Sequence, residues 1–98
     1  MSERYEVIVR HQAQQEVEEI YDHQHGIEPA RAERFYAAWQ ACLDQFRRNP
    51  SHAKRKGSYG HEMLHKLPFR VVYEVWDTKV IVYQVRHTSR KPSKKFGP

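Results

Sequence analysis

Arg70 and His87 stand at the outer ends of two β-rich runs, Phe69 to Trp76 and Lys79 to His87, which the dipeptide Asp77-Thr78 joins. A histidine titrates near neutral pH and can take up or release a proton. A guanidinium offers a planar fork of donors that matches a phosphate. On one surface, the two could work on a phosphodiester: activating a 2′-hydroxyl, stabilising a pentacoordinate phosphorus and protonating the leaving 5′-oxygen, with no metal required. A misplaced acid or base would cost about 10²–10⁴-fold in rate. Lys54, Arg55 and Lys56, with Lys91, Lys94 and Lys95 near the C-terminus, could follow a phosphate backbone, while Tyr59 or Trp76 stacks on bases. Each residue also has an ordinary reading. His87 could bond to backbone at a strand end, Arg70 could pair with Glu74, and the lysines could be a solvated surface.

Val, Ile, Tyr, Phe and Trp dominate both runs, and neither contains Gly or Pro, so the stretch reads as an antiparallel hairpin. Asp-Thr is a weak turn signal, because Thr resists positive φ. If Trp76 faces Lys79, then Glu74 faces Ile81, Val72 faces Tyr83 and Arg70 faces Val85. Alternation along the strands then collects Phe69, Val71, Tyr73, Val75, Val80 and Val82 on a core face, with Gln84 and Arg86 towards its end. The opposite face takes Arg70, Val72, Glu74, Trp76, Ile81, Tyr83, Val85 and His87. His87 would lie diagonally from Arg70, at about 7–8 Å between backbones. A slip of one residue would reverse these assignments.

Ninety-eight residues make one domain spanning residues 1–98. A hydrophobic share of 39% beside 30% charged residues fits a soluble globular protein. No apolar run approaches the ~20 residues of a membrane span, and Met1-Ser2-Glu3-Arg4 does not read as a signal peptide. Cys42 is the single cysteine, which excludes an internal disulfide framework and makes a reducing cytoplasm the expected compartment. A net charge of +5 favours an anionic partner, either nucleic acid or an acidic protein.

Along the chain, Arg4 to Arg10 alternates as a first strand. Ala13, Val17, Ile20 and Tyr21 recur at helical spacing, predicting a helix from about His11 to His23, with Gly26 as the left-handed residue after its end. A second helix begins at Glu28-Pro29 and carries the stripe Ala32, Phe35, Trp39, Cys42, Leu43 and Phe46 until Asn49-Pro50 stops it. Ser51 to Gly60 reads as an exposed loop, and Glu62 to Leu67 as a short strand. The fold class is α+β, in the order β-α-α-β-β-β, with an αα-hairpin on one face of a small, antiparallel-rich sheet and a basic C-terminal tail. His61 and His65 are spaced i, i+4 on a strand with no third ligand, so neither a metal nor any other cofactor is expected.

Leu67-Pro-Phe-Arg-Val-Val-Tyr-Glu-Val75, Val80-Ile-Val-Tyr-Gln-Val85 and His87-Thr-Ser-Arg-Lys-Pro92, in this element order, resemble the RelE/ParE superfamily of bacterial toxins. Lys91 stands where Asp is frequent in the family. The resemblance implies a toxin that acts in the cytoplasm and is held inactive by a cognate acidic antitoxin. Two targets are implied: ribosome-bound mRNA, cut by RelE-like members, or DNA gyrase, inhibited by ParE-like members without known hydrolysis. In the RelE-like case the site arginines carry over as Arg70 and Arg90, beside which the residue chemistry offers His87 as acid or base. Phe96 falls where a Tyr is usual and cannot donate a proton. His61 and Met63 fall at the family's strand lysines, beside His65 and Lys66. With Lys54, Arg55, Lys56, Trp76 and Tyr83, the residues His61, His65, Lys66 and Phe96 complete the expected substrate contacts. The mRNA endonuclease is the first expectation, and the ParE-like gyrase inhibitor is the alternative. Either way, the open face should attract an acidic antitoxin segment, with the first strand or Glu62 to Leu67 offering a sheet edge for it.

Overall fold

The computed structural model describes residues 5–48, 54–56 and 59–89. Strand β1 (Glu6–Val9) leads into helix α1 (His11–Ile27), and α2 (Pro29–Arg48) follows after one extended residue, Glu28. Strands β2 (Lys54–Lys56), β3 (Tyr59–Met63), β4 (Phe69–Trp76) and β5 (Lys79–His87) complete a five-stranded sheet in the order β1-β5-β4-β3-β2. β1 runs parallel to β5, and the other pairings are antiparallel. The expected α+β class and element order are found, with one additional short strand.

Both apolar stripes turn inward. Ala13 and Val17 of α1, and Ala32, Phe35, Trp39, Cys42, Leu43 and Phe46 of α2, are all buried. They pack on Phe69, Val71, Tyr73, Val80, Val82 and Val85 of the sheet. Phe35 meets Phe69 edge-on at 5.1 Å, and Phe46 lies 4.5 Å from Tyr73. Gly60 on β3 makes room for Tyr73, because a Cβ there would come within 2.6 Å of the Tyr73 ring.

Four expectations need correction. Helix α1 does not stop near His23 with Gly26 as a left-handed terminus. It runs through Gly26 to Ile27, and Glu28 closes it with an N–H bond to the Gln24 carbonyl. The polar segment expected as a loop holds β2 and the start of β3, so Lys54, Arg55 and Lys56 form an edge strand. The strand expected at Glu62 to Leu67 lies earlier, at Tyr59–Met63. The chain then turns at Leu64–Leu67, where Leu67 bonds back to Leu64 and Lys66 takes φ 59°. β3 is therefore an interior strand between β4 and β2, and the sheet edges are β1 and β2.

The fourth correction concerns the hairpin. Its ends are as expected, Asp77 takes the positive φ (55°), and Trp76 faces Lys79, Val75 faces Val80 and Glu74 faces Ile81. Beyond Tyr73↔Val82 the ladder shifts: Val72 faces Gln84, Val71 faces Val85, Arg70 faces Arg86 and Phe69 faces His87. Tyr83 is the extra residue of a β-bulge, which exchanges the two faces for the rest of the strand. Val85 and His87 thus belong to the helix-covered face, and Gln84 and Arg86 to the open one. The basic tail lies, from Arg90 onward, outside the described residues.

Candidate functional site

The bulge creates a compact polar group on the open face. Tyr83, turned outward, donates from its hydroxyl to Glu74 Oε1 at 2.7 Å. Tyr59, from β3, meets the Tyr83 ring edge-on at 5.4 Å, and the Arg10 guanidinium stands 5.9 Å above the same ring. A cation at that distance from an aromatic face is attracted by the ring's quadrupole. Burial pushes the Tyr83 phenol up to about 12, with the Glu74 hydrogen bond and charge acting in the same direction and Arg10 opposing them. Tyr83 therefore stays a neutral donor at physiological pH. Glu74 is buried, and its Oε1 accepts the Tyr83 hydroxyl.

Around this group the open face carries cations and exposed apolar side chains. Arg70 is half-buried on β4, between Met63 of β3 and Arg86 of β5. Met63 is 49% exposed, and Trp76, at the hairpin end opposite Lys79, is 60% exposed, so both are open to a partner. Arg86 reaches towards Glu16 on α1 (3.8 Å), whose other carboxylate oxygen accepts the Val85 N–H at 2.8 Å. β1 pairs with β5 only as far as Val82. Glu16 thus satisfies a β5 backbone donor beyond the reach of the strand ladder.

His87 lies elsewhere. Its ring packs edge-on against Phe69 at 5.3 Å on the helix-covered side, and its Nδ1 accepts the Ser89 N–H at 3.1 Å. The structure therefore does not bring His87 and Arg70 onto one face. His61 is half-buried on β3 opposite Val72, whereas His65 and Lys66 are exposed in the turn after it, so the two histidines do not share a strand. Arg90 and Phe96 lie outside the described residues. Among the described residues, no three His, Cys, Asp or Glu side chains are grouped to hold a metal, and no helix is long and apolar enough to cross a membrane. Arg10 and Glu16 escaped the sequence reading because they lie at a strand–helix junction and on a helix face, without a motif.

A five-stranded sheet backed by a helical hairpin thus leaves one face open, with cations and aromatic side chains on it. The family model for the ParE toxin of type II toxin–antitoxin systems (parDE) matches residues 7–92, and the chain belongs to that family. No curated protein resembles it closely enough in sequence to count as a relative. The solved structure described as "Chromosomal ParDE TA system from P. aeruginosa" shares its fold. The TM-score is 0.72 at 14% identity, over 85% of this chain and 95% of that one.

Proposed function

We propose that this toxin acts in the cytoplasm by binding DNA gyrase, rather than by cutting ribosome-bound mRNA. The observation that carries the reading is the ParE family match across residues 7–92, within a superfamily whose members divide between these targets. The geometry supports it. A phosphodiester-cleaving site built on Arg70 and His87 needs both groups at one phosphate, and the bulge at Tyr83 sends them to opposite faces. In this reading the open face is a docking surface. Trp76 and Met63 supply apolar contact, and Arg70 and Lys79 complement an acidic region of the target. Exposed Trp and Arg residues commonly dominate protein interfaces. A cognate acidic antitoxin would neutralise the toxin by covering the same cations.

Purified toxin added to a gyrase supercoiling assay and to a cell-free translation reaction tests the proposal. Arrested supercoiling with intact message is expected. Cleaved message with normal supercoiling would return the function to mRNA cleavage.

A further inference from the structure

Above the end of β5, where the two helices turn, two adjoining hollows of about 540 and 380 Å³ share Gln24, Arg31, Phe69 and His87. Their floor is apolar, made by buried Phe35, Phe69 and Val85, and Ile27 on the rim is 53% exposed. We propose that this groove binds a carboxylate-bearing segment of a protein partner, with the carboxylate lodged between Arg31 and His87. The proposal builds on the chain's membership of a toxin–antitoxin family, and not on the gyrase reading.

Two donors are held in place there by their inner nitrogens. The Ser89 backbone N–H donates to His87 Nδ1 at 3.1 Å, and the Ser89 hydroxyl lies 2.7 Å from the same atom. A backbone N–H can only donate, so Nδ1 is the accepting nitrogen and Nε2 is the one left to face a ligand. The perpendicular Phe69 ring fixes the orientation of the imidazole. Arg31 is tethered in a similar way: its Nε donates to Gln24 Oε1 at 3.1 Å, which leaves the two terminal nitrogens for a ligand. Side chains fixed in advance lose less freedom on binding, which is what a recognition site requires. Arg34, one turn further along α2, lines the same end, where Glu28 is the opposing carboxylate among the described residues.

The other end carries two carboxylates, with Arg86 also in its lining. Glu16 and Glu19 line it, with Glu16 already bonded to Val85 N–H and close to Arg86. The groove therefore has an electrostatic direction. A segment seats its acidic residue at the Arg31 end and its apolar residues over Phe69 and Ile27. A nucleic-acid backbone, uniformly anionic, would meet repulsion at Glu16 and Glu19, so a peptide is the better occupant.

The test uses the peptide acetyl-Ile-Glu-Leu-amide and its Gln counterpart, titrated into the full chain. NMR signals of the His87 ring, the Arg31 Nε–H and the Gln24 amide report binding. Saturable shifts are expected at all three, with the Gln peptide binding roughly tenfold more weakly for want of a charge-assisted bond. Arg31→Gln should erase that preference. Arg34→Gln should reduce it, which keeps a variant in hand if the first disturbs folding. Equal binding of the two peptides, shifts confined to Arg70 and Trp76, or no shifts at millimolar peptide would overturn the proposal. Inorganic phosphate saturating the same signals more tightly than the Glu peptide would also overturn it, in favour of a phosphorylated ligand. No arm reads supercoiling, so failure of this proposal and failure of the gyrase reading are separate events.

Discussion

Replacing Gly60 by Ala adds one methyl group at the seam between β3 and the core. That methyl would lie 2.6 Å from Tyr73 Cζ and 2.8 Å from its hydroxyl oxygen, well inside contact distance. The Tyr73 ring is 1% exposed and packs against Phe46, so it has little room to retreat. Overpacking of this kind typically costs about 1–3 kcal/mol. The lower freedom of alanine in the unfolded chain returns about 0.4–1 kcal/mol. A net loss of about 1–2 kcal/mol would lower Tm by roughly 4–16 °C in a domain of this size. Gly26→Ala supplies the internal control. It lies within α1 with nothing within 4 Å of an added Cβ, so the same change should stabilise by up to about 1 kcal/mol. Scanning calorimetry of both variants reads the two signs directly. An unchanged or raised Tm for Gly60→Ala would refute the packing of β3 on Tyr73. A lowered Tm for Gly26→Ala would restore the left-handed helix end that the sequence suggested.

Three further outcomes follow from the geometry. Glu16→Ala leaves the Val85 N–H and the buried Arg86 Nε without their carboxylate and should cost about 1–3 kcal/mol in urea unfolding. Glu16→Gln, which keeps an acceptor oxygen, should cost distinctly less; equal losses would refute the bonding role. The folded Tyr83 phenol holds its proton to about 12 against an ordinary value of 10, so the folded state binds more protons between those values. Its stabilising contribution is therefore complete below about pH 10 and is lost as pH rises towards 12. That decline, followed by urea midpoints, should be shallower in Tyr83→Phe, and an identical slope would refute it. Burial, aided by the charge of Glu62, pushes the Cys42 thiol up to about 12. Ellman's reagent at pH 8 should react with Cys42 only on unfolding, and rapid reaction with the native protein would contradict its burial.

The elements with a strong period were legible in the sequence. Six residues from Ala32 to Phe46 mark one face of α2, and all six are buried. Phe69 to Trp76 and Lys79 to His87 alternate within β-rich composition, and both strands have those bounds. Helix ends were less legible. Gly26 offers the usual terminal residue, yet α1 continues through it, because a glycine also tolerates helical φ and the following Pro29 still permits a new first turn. β2 was hidden because Lys54, Arg55 and Lys56 are poor strand formers by composition. They form a strand as the outer partner of β3, a tertiary effect that no local pattern records.

The candidate site was hardest to read, and for one physical reason. Side-chain direction in a strand has period two, so one inserted residue moves everything beyond it to the other face. The stretch Ile81-Val-Tyr-Gln-Val85 contains no glycine to mark a bulge, and its alternation reads equally well in either register. Burial decides the matter. With Tyr83 as the extra residue, Val85 joins Val71 in the core, and the Tyr83 hydroxyl finds Glu74. Without it, Val85 would face solvent and Arg86 would be directed at the helices. Burying a Val side chain is worth about 1.5–3 kcal/mol, and an unpaired buried charge costs more, so the bulged register wins. The same energetic choice that completes the core parts His87 from Arg70. The expectation that His87 lies diagonally from Arg70 on one face rested on a register without this bulge.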